Sequence, residues 1–275
     1  MKRFGGIFKW LYAASLLALA LGGLHGCAGG AGGAGGASAS KPDMITESDE
    51  PEARKRARLR LELASNYFEQ GQTTVALDEL KQALITDPTL PDAYNLRGLI
   101  YMRLNDPRLA EESFRRAIQL NPASSDALHN YGWMMCEQRR YPESFATFNQ
   151  ALSNPLYGNR PKTLLTLGLC QERAGLNADA ERSLARSYEL DAANPITGYN
   201  LSNLLFMRGD FVRAQFYIRR LNNSELANAE SLWLGIKVER RMDDRDAMLQ
   251  LAEQLRKRFP KSTQYASYER GAFSE

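Results

Sequence analysis

The stretch Tyr94–Pro122, YNLRGLIYMRLNDPRLAEESFRRAIQLNP, decides the fold. It places a small residue, Gly98, between the large residues Tyr94 and Tyr101, then Ala110 four residues before Phe114, then Ala117 and Pro122. Outward from it the same arrangement recurs. Small residues stand at Ala64, Gly98, Gly132, Gly168, Ser202 and Gly235, at steps of 34, 34, 36, 34 and 33. A second series, Ala76, Ala110, Ser144, Ala180, Ala214 and Ala247, follows the first at a constant distance of twelve residues. Two small residues twelve apart, each flanked by large apolar ones, suit a pair of antiparallel helices whose axes cross closely. Asp106-Pro107, Gly175 and Gly209-Asp210 mark turns inside the units, and Pro88, Pro122 and Pro155 close the second helices of the first three. No strand pattern is evident.

The period and the order of these residues resemble the tetratricopeptide repeat, W-x₂-L-G-x₂-Y…A-x₃-F…P, with Arg97 departing where Leu is usual. The expected fold is all-α, a right-handed superhelical solenoid of about six repeats over residues 55–262. The repeats fall near 57–90, 91–124, 125–160, 161–194, 195–227 and 228–260. Units four to six match less well: Ala192 stands where a terminal proline is usual, and Ser202 and Ser231 replace more typical residues. Residues 263–275 either cap the last unit, whose apolar face would otherwise be exposed, or form a docking segment.

The N-terminus is an address. Trp10–Leu21 is a twelve-residue apolar run after Lys2, Arg3 and Lys9. It is shorter than the roughly 20 residues a bilayer span takes and suits a secretory signal peptide over residues 1–26. Leu24-His25-Gly26-Cys27 resembles a bacterial lipobox, with His25 departing from the usual small or aliphatic residue. The resemblance implies lipidation of Cys27 and, since Ala28 is not an aspartate, an outer-membrane lipoprotein facing the periplasm. Each buried CH₂ of an acyl chain contributes about 0.8 kcal/mol, so several chains hold almost permanently where one does not. Residues 27–54 then form a Gly-rich tether, with an r.m.s. span of about 25–30 Å.

Charge excludes further classes. The chain has 35 basic and 32 acidic residues, and three of the basic ones precede Cys27, so the remainder carries 32 of each. A neutral body lacks the basic surface that nucleic acid requires. With His129 the only histidine after Cys27, multi-histidine metal sites are excluded. His129 has no nucleophile elbow or paired carboxylates with it, so no enzyme is expected, and no cofactor or small-molecule substrate.

In register, the first helices present Leu61, Ser65 and Phe68; Asn95, Leu99 and Met102; His129, Trp133 and Cys136; Leu165, Leu169 and Glu172; Tyr199, Asn203 and Phe206. Most are apolar, and such a stripe is either a protein-binding groove or packing between neighbouring first helices. As a groove it would take an apolar helix or extended segment, with Trp133 and Phe68 as anchors. Leu61 and Ser65 stand where a clamp for an acidic C-terminus would need Lys and Asn, so that clamp is not expected. Cys136 and Cys170 lie on first helices of adjacent units, in an oxidising compartment, and are either a disulfide or two buried thiols.

Three stretches, NYGWMMCEQRRYPESFATFNQALSNPLYGNR (130–160), TLLTLGLCQERAGLNADAERSL (163–184) and SLWLGIKVERRMDDRDAMLQLAEQLRKRFP (231–260), together with the lipobox, resemble the type IV pilus biogenesis/stability lipoproteins. These are the pilotins of the pilus secretin, the PilF/PilW group. The resemblance implies an outer-membrane lipoprotein that assists targeting and multimerisation of the secretin and binds a secretin subunit. A scaffold recruiting periplasmic cell-wall enzymes through the same anchor and groove is the alternative.

Overall fold

The computed structural model describes residues 49–273; the signal segment, Cys27 and most of the Gly-rich stretch lie outside the described residues. Thirteen α-helices, and no strand among the described residues, build an all-α repeat solenoid. Six antiparallel pairs follow in order: α1 (Glu52–Glu69) with α2 (Thr73–Thr86), α3 (Pro91–Arg103) with α4 (Pro107–Leu120), and α5 (Ser125–Glu137) with α6 (Tyr141–Leu152). The others are α7 (Arg160–Arg173) with α8 (Asn177–Leu190), α9 (Pro195–Arg208) with α10 (Phe211–Asn222), and α11 (Ala229–Arg241) with α12 (Arg245–Arg258). The short helix α13 (Thr263–Glu269) follows them. Helix α1 begins at Glu52, inside the stretch expected to be tether, because Pro51 accepts the first helical hydrogen bonds from the amides of Arg54 and Lys55.

The two helices of a pair meet where the sequence has its small residues. A Cβ added at Gly98 would lie 2.5 Å from the Phe114 ring, and one at Gly168 would lie 2.7 Å from Leu184. Phe114, Phe148 and Leu184 fill these crossings and are fully buried. Where serine stands in place of alanine or glycine, its hydroxyl donates across the crossing: Ser144 to the Gly132 carbonyl at 2.7 Å and Ser202 to that of Ala214 at 2.8 Å. The hydroxyl is therefore satisfied within the seam, which is why those units tolerate it.

Between the helices of each pair the chain turns through one left-handed residue: Gly71, Asn105, Arg139, Gly175, Gly209 and Asp243. Three of these are glycines, for which positive φ costs nothing sterically; Asn105, Arg139 and Asp243 adopt φ of 58–61° without that freedom. Side-chain caps open three of the second helices, α4, α10 and α12, as with Asp106 accepting from the Leu109 amide at 3.0 Å and Asp244 from that of Ala247 at 3.0 Å. Helices α2, α4 and α6 end at Thr86, Leu120 and Leu152, just before Pro88, Pro122 and Pro155. At the far end Tyr265, Tyr268 and Phe273 pack on Leu232, Trp233 and Leu255, so the tail covers apolar surface of the sixth pair.

The step of 36 residues falls between α5 and α7. The two extra residues let Tyr157 fold back beneath Leu128 and Ala151. Its hydroxyl meets the Thr163 hydroxyl at 3.0 Å and donates to Asp126 at 3.3 Å. Thr163 also contacts His129 Nδ1 at 2.9 Å. Two turns further along α5, Cys136 and Cys170 are joined in a disulfide with Cα atoms 6.0 Å apart. Helices α5 and α7 are thus clasped at two points. His129, expected in the groove, is only 5% exposed, and its side chain is part of this clasp. Burial, with the Lys162 charge adding to it, lowers its pKa from 6.5 to about 4, so the folded protein keeps it neutral.

Two outcomes test these contacts. Gly98→Ala, which has no space beside Phe114, should lose about 1–3 kcal/mol of stability. Gly198→Ala in α9, where the added Cβ meets Tyr188 at an ordinary 3.6 Å, should instead gain about 0.5–1 kcal/mol. Thermal and urea melts read both. A depressed histidine pKa contributes stability that is present above the unfolded value and lost as pH falls. Between pH 6.5 and about 4 the His129 contribution, about 3 kcal/mol, should fade. Urea unfolding across that window should show a shallower decline in His129→Gln than in the parent chain; equal slopes would contradict the buried neutral imidazole.

Candidate partner-binding groove

The first helices of the pairs, α1, α3, α5, α7, α9 and α11, stand side by side, and the sequence-predicted stripe lies along them. The stripe divides into two sets by its distance from the crossing. Residues three positions before the small residue pack against the next first helix. Asn95 accepts a hydrogen bond from Asn130 Nδ2 at 3.0 Å, His129 meets Thr163, and Leu165 is 8% exposed. Leu165 and His129, both expected to line the groove, are therefore interior residues, as is Cys136 in its disulfide. The reason is geometric: these positions face the neighbouring helix, at a spacing the intra-unit pattern does not specify. Leu61 belongs with them, half-buried against the core of the first two units.

Among the residues one and four positions after the crossing in the first three units, all but Ser65 and Cys136 line open space. Phe68, Leu99, Met102 and Trp133 surround a cavity of about 600 Å³. Trp133 is 39% exposed, although it sits between fully packed neighbours. Phe68 packs on the core of units one and two, and Leu99 and Met102 on the cluster around Phe114 and Met134. Each ring or thioether is thus held from behind and presents its other side to the cavity. Ser65 lies half-buried beside them.

Polar residues that the stripe did not include form the rim. Arg103 stacks on the Phe68 ring, 3.8 Å from its centroid, and donates to the Phe68 carbonyl at 2.6 Å. Glu137 lines the cavity and is ion-paired with Arg173 across adjacent first helices. Gln138 and Asn105 complete the edge. Arg103 and Glu137 follow Met102 and Cys136 by one residue, so the repeat register itself places them at the rim.

Farther along, Leu169, Tyr199 and Phe206 are half-buried against the core of units four and five, with Glu172 and Asn203 among them. Burial raises the Glu172 carboxyl above the usual carboxylate range. Burial, with Glu230 and Glu172 nearby, likewise pushes the Tyr199 phenol up. No group of three or more His, Cys, Asp or Glu residues is placed to hold a metal among the described residues. Against solvent the groove offers rings, thioether and guanidinium, which bind a chain by burial and stacking.

Comparison with known proteins finds relatives along most of the folded length. The tetratricopeptide repeat family matches residues 91–124, and a second TPR repeat description matches residues 64–105. The type IV pilus assembly protein PilF of Pseudomonas aeruginosa is 28% identical over 209 residues, covering 76% of this chain and 83% of that protein. The solved structure of Pseudomonas aeruginosa PilF superposes with a TM-score of 0.72 at 27% identity, over 80% of this chain and 100% of that one. PilW, a widely conserved type IV pilus biogenesis factor, superposes with a TM-score of 0.68 at 28% identity, over 77% of this chain and 97% of that one. The chain is a tetratricopeptide-repeat solenoid, similar in sequence and structure to the type IV pilus proteins PilF and PilW.

Proposed function

We propose that this chain is an outer-membrane lipoprotein of type IV pilus biogenesis that binds a subunit of the pilus secretin and assists its targeting and multimerisation. The likeness to PilF and PilW along almost the whole folded length carries the reading. The groove supplies the means. An apolar secretin segment would set one or two side chains into the cavity of Phe68, Leu99, Met102 and Trp133, where rings already supported from behind lose little freedom on binding. Fully burying one large apolar side chain contributes about 1.5–3 kcal/mol, so two anchors supply about 3–6 of the roughly 8 kcal/mol of a micromolar contact, and rim interactions would add the rest. The lipid at Cys27 would supply the address and the Gly-rich stretch the reach, so that protein and secretin travel together. Binding is then the whole of the activity.

The heat-resistant secretin multimer in membrane fractions tests this. Deletion of the protein should abolish the multimer, and Cys27→Ala should reduce or mislocalise it. Phe68→Ala with Trp133→Ala should lower it at least tenfold, the effect of about 1.4 kcal/mol, while leaving the helical signal and membrane location intact. An outer-membrane ring unchanged in all three would move the protein to a scaffold for other envelope complexes.

A further inference from the structure

The second-helix side of unit five lacks a side chain that the repeat has elsewhere. Four residues before the crossing residue, units two, three and four carry Tyr94, Leu128 and Leu164. The two leucines are buried, and Tyr94 is in contact with the guanidinium groups of Arg97 and Arg116. In unit five the position is Gly198. Unit six has a small residue there as well, Ser231, but its side chain closes the cap of its own helix with Asn228.

The backbone does not require this glycine. Gly198 stands inside α9, where glycine weakens a helix, and an added Cβ would meet only Tyr188, at 3.6 Å. What it borders is a cavity of about 250 Å³ near the C-terminal ends of α8 and α10, lined also by Tyr188, Ala192, Tyr217, Arg220 and Leu226. Tyr188 packs edge-on against Tyr217, with centroids 4.9 Å apart, and so walls the space without filling it. The Tyr188 hydroxyl is buried and has no hydrogen-bond partner among the described residues, a cost that the fold carries at this wall. Leu226, at the cavity edge, is exposed.

Unit two shows what such a space holds when a side chain enters it. Arg116, six residues after Ala110, lies 5.8 Å from the Tyr94 centroid, and the Tyr94 hydroxyl donates to the Pro88 carbonyl at 3.1 Å. In unit five Arg220 stands six residues after Ala214, and Ala192 six before Gly198, the places of Arg116 and Pro88. Both line the cavity. The units with leucine differ: unit three has Gln150 in place of the arginine, and Arg186 of unit four is ion-paired with Glu189. Arg220, like Arg116, rests on a ring, 5.9 Å from the Tyr188 centroid. Unit five thus keeps the surroundings of a phenol at a position that has no side chain.

We propose that this cavity is a binding site for a tyrosine side chain on an extended segment of a protein partner, which supplies the ring that unit five lacks. The ring would lie against Arg220 and the corner made by Tyr188 and Tyr217, contacts that aromatic edges and cations favour. The site is on the second-helix side, so it stands independently of the secretin reading of the groove.

Titration of the full-length chain in detergent with the peptide Gly-Ser-Tyr-Ser-Gly, and with the same peptide carrying Leu for Tyr, tests it through the ¹³C-methyl resonances of Ala192, Ala193 and Leu226. The tyrosine peptide should shift them saturably and bind about threefold more tightly than the leucine peptide, the scale of one cation–π contact. Arg220→Gln should remove that preference. Gly198→Tyr, which restores the side chain of unit two, should abolish the shifts. Gly198→Ala, whose methyl fits beside Tyr188, should weaken binding while the chain melts no lower, and it decides the matter if the larger variant fails to fold. Unmoved methyls, equal binding of the two peptides, or binding unchanged by both Gly198 variants would overturn the proposal. So would binding that is lost in Phe68→Ala/Trp133→Ala but kept in the Gly198 variants, since that places the tyrosine in the apolar groove. Tyrosine binding together with an unaffected secretin ring would leave this site standing and remove the secretin reading.

Discussion

The close crossing of two helices at a residue with little or no side chain is the constraint on which the rest depends. Gly98 leaves room for Phe114 and for nothing more, since even a methyl group there would overlap the ring. Packing at that density fixes the distance and angle within each pair. Because five more units have a small residue at the same place, each pair presents an equivalent flank to the next, and stacking sets the first helices in a row. The groove is thus a consequence of the seam. A side chain on a first helix reaches the groove or the neighbour according to its distance from the crossing, and that distance is counted from Gly98 and its equivalents.

This also explains what could be read from the sequence and what could not. The seam was legible because a missing side chain is a sequence feature, and its period survives substitution by serine, as at Ser144 and Ser202, whose hydroxyls find carbonyls across the crossing. The groove was legible only in part. Leu165, His129 and Cys136 share apolar or amphipathic character with Leu99 and Trp133, and nothing in the chain states how near the next first helix comes. The turns were hidden for another reason. Arg139 adopts left-handed backbone that the intra-unit closure imposes on a residue with no preference for it, whereas Gly175, Gly209 and the Asp106-Pro107 pair announced their turns. Tyr157 shows the same limit: its burial follows from a two-residue insertion finding space under α5, which is a property of the assembled units.

That insertion bears on how the solenoid stays regular. A repeat array has only nearest-neighbour interfaces, so one irregular step is a place where it can open locally. Here the irregular step is the one with covalent and buried polar contacts together: the Cys136–Cys170 disulfide near one end of α5, and His129, Thr163, Tyr157 and Asp126 near the other. The two points lie two helical turns apart on one face, which resists rotation of α7 against α5 as well as separation. The apolar cavity draws Trp133 from α5 between these points and Phe68 from α1 beyond them. A fixed junction therefore keeps Trp133 from turning with unit four, and the cavity retains its shape on the rigid side of the step.

The row of first helices then has two unlike ends on a body whose charges balance. An apolar cavity in units one to three gives affinity through area but little choice of partner, because rings and thioethers accept many apolar side chains. A pocket at units five and six gathers Lys237, Arg240 and Arg241 among the Phe206, Trp233 and Phe273 rings, so its surface is charged where the first is apolar. The difference turns in part on one position of the repeat: Lys237 stands where the preceding four units bury Ile100, Met134, Cys170 and Leu204.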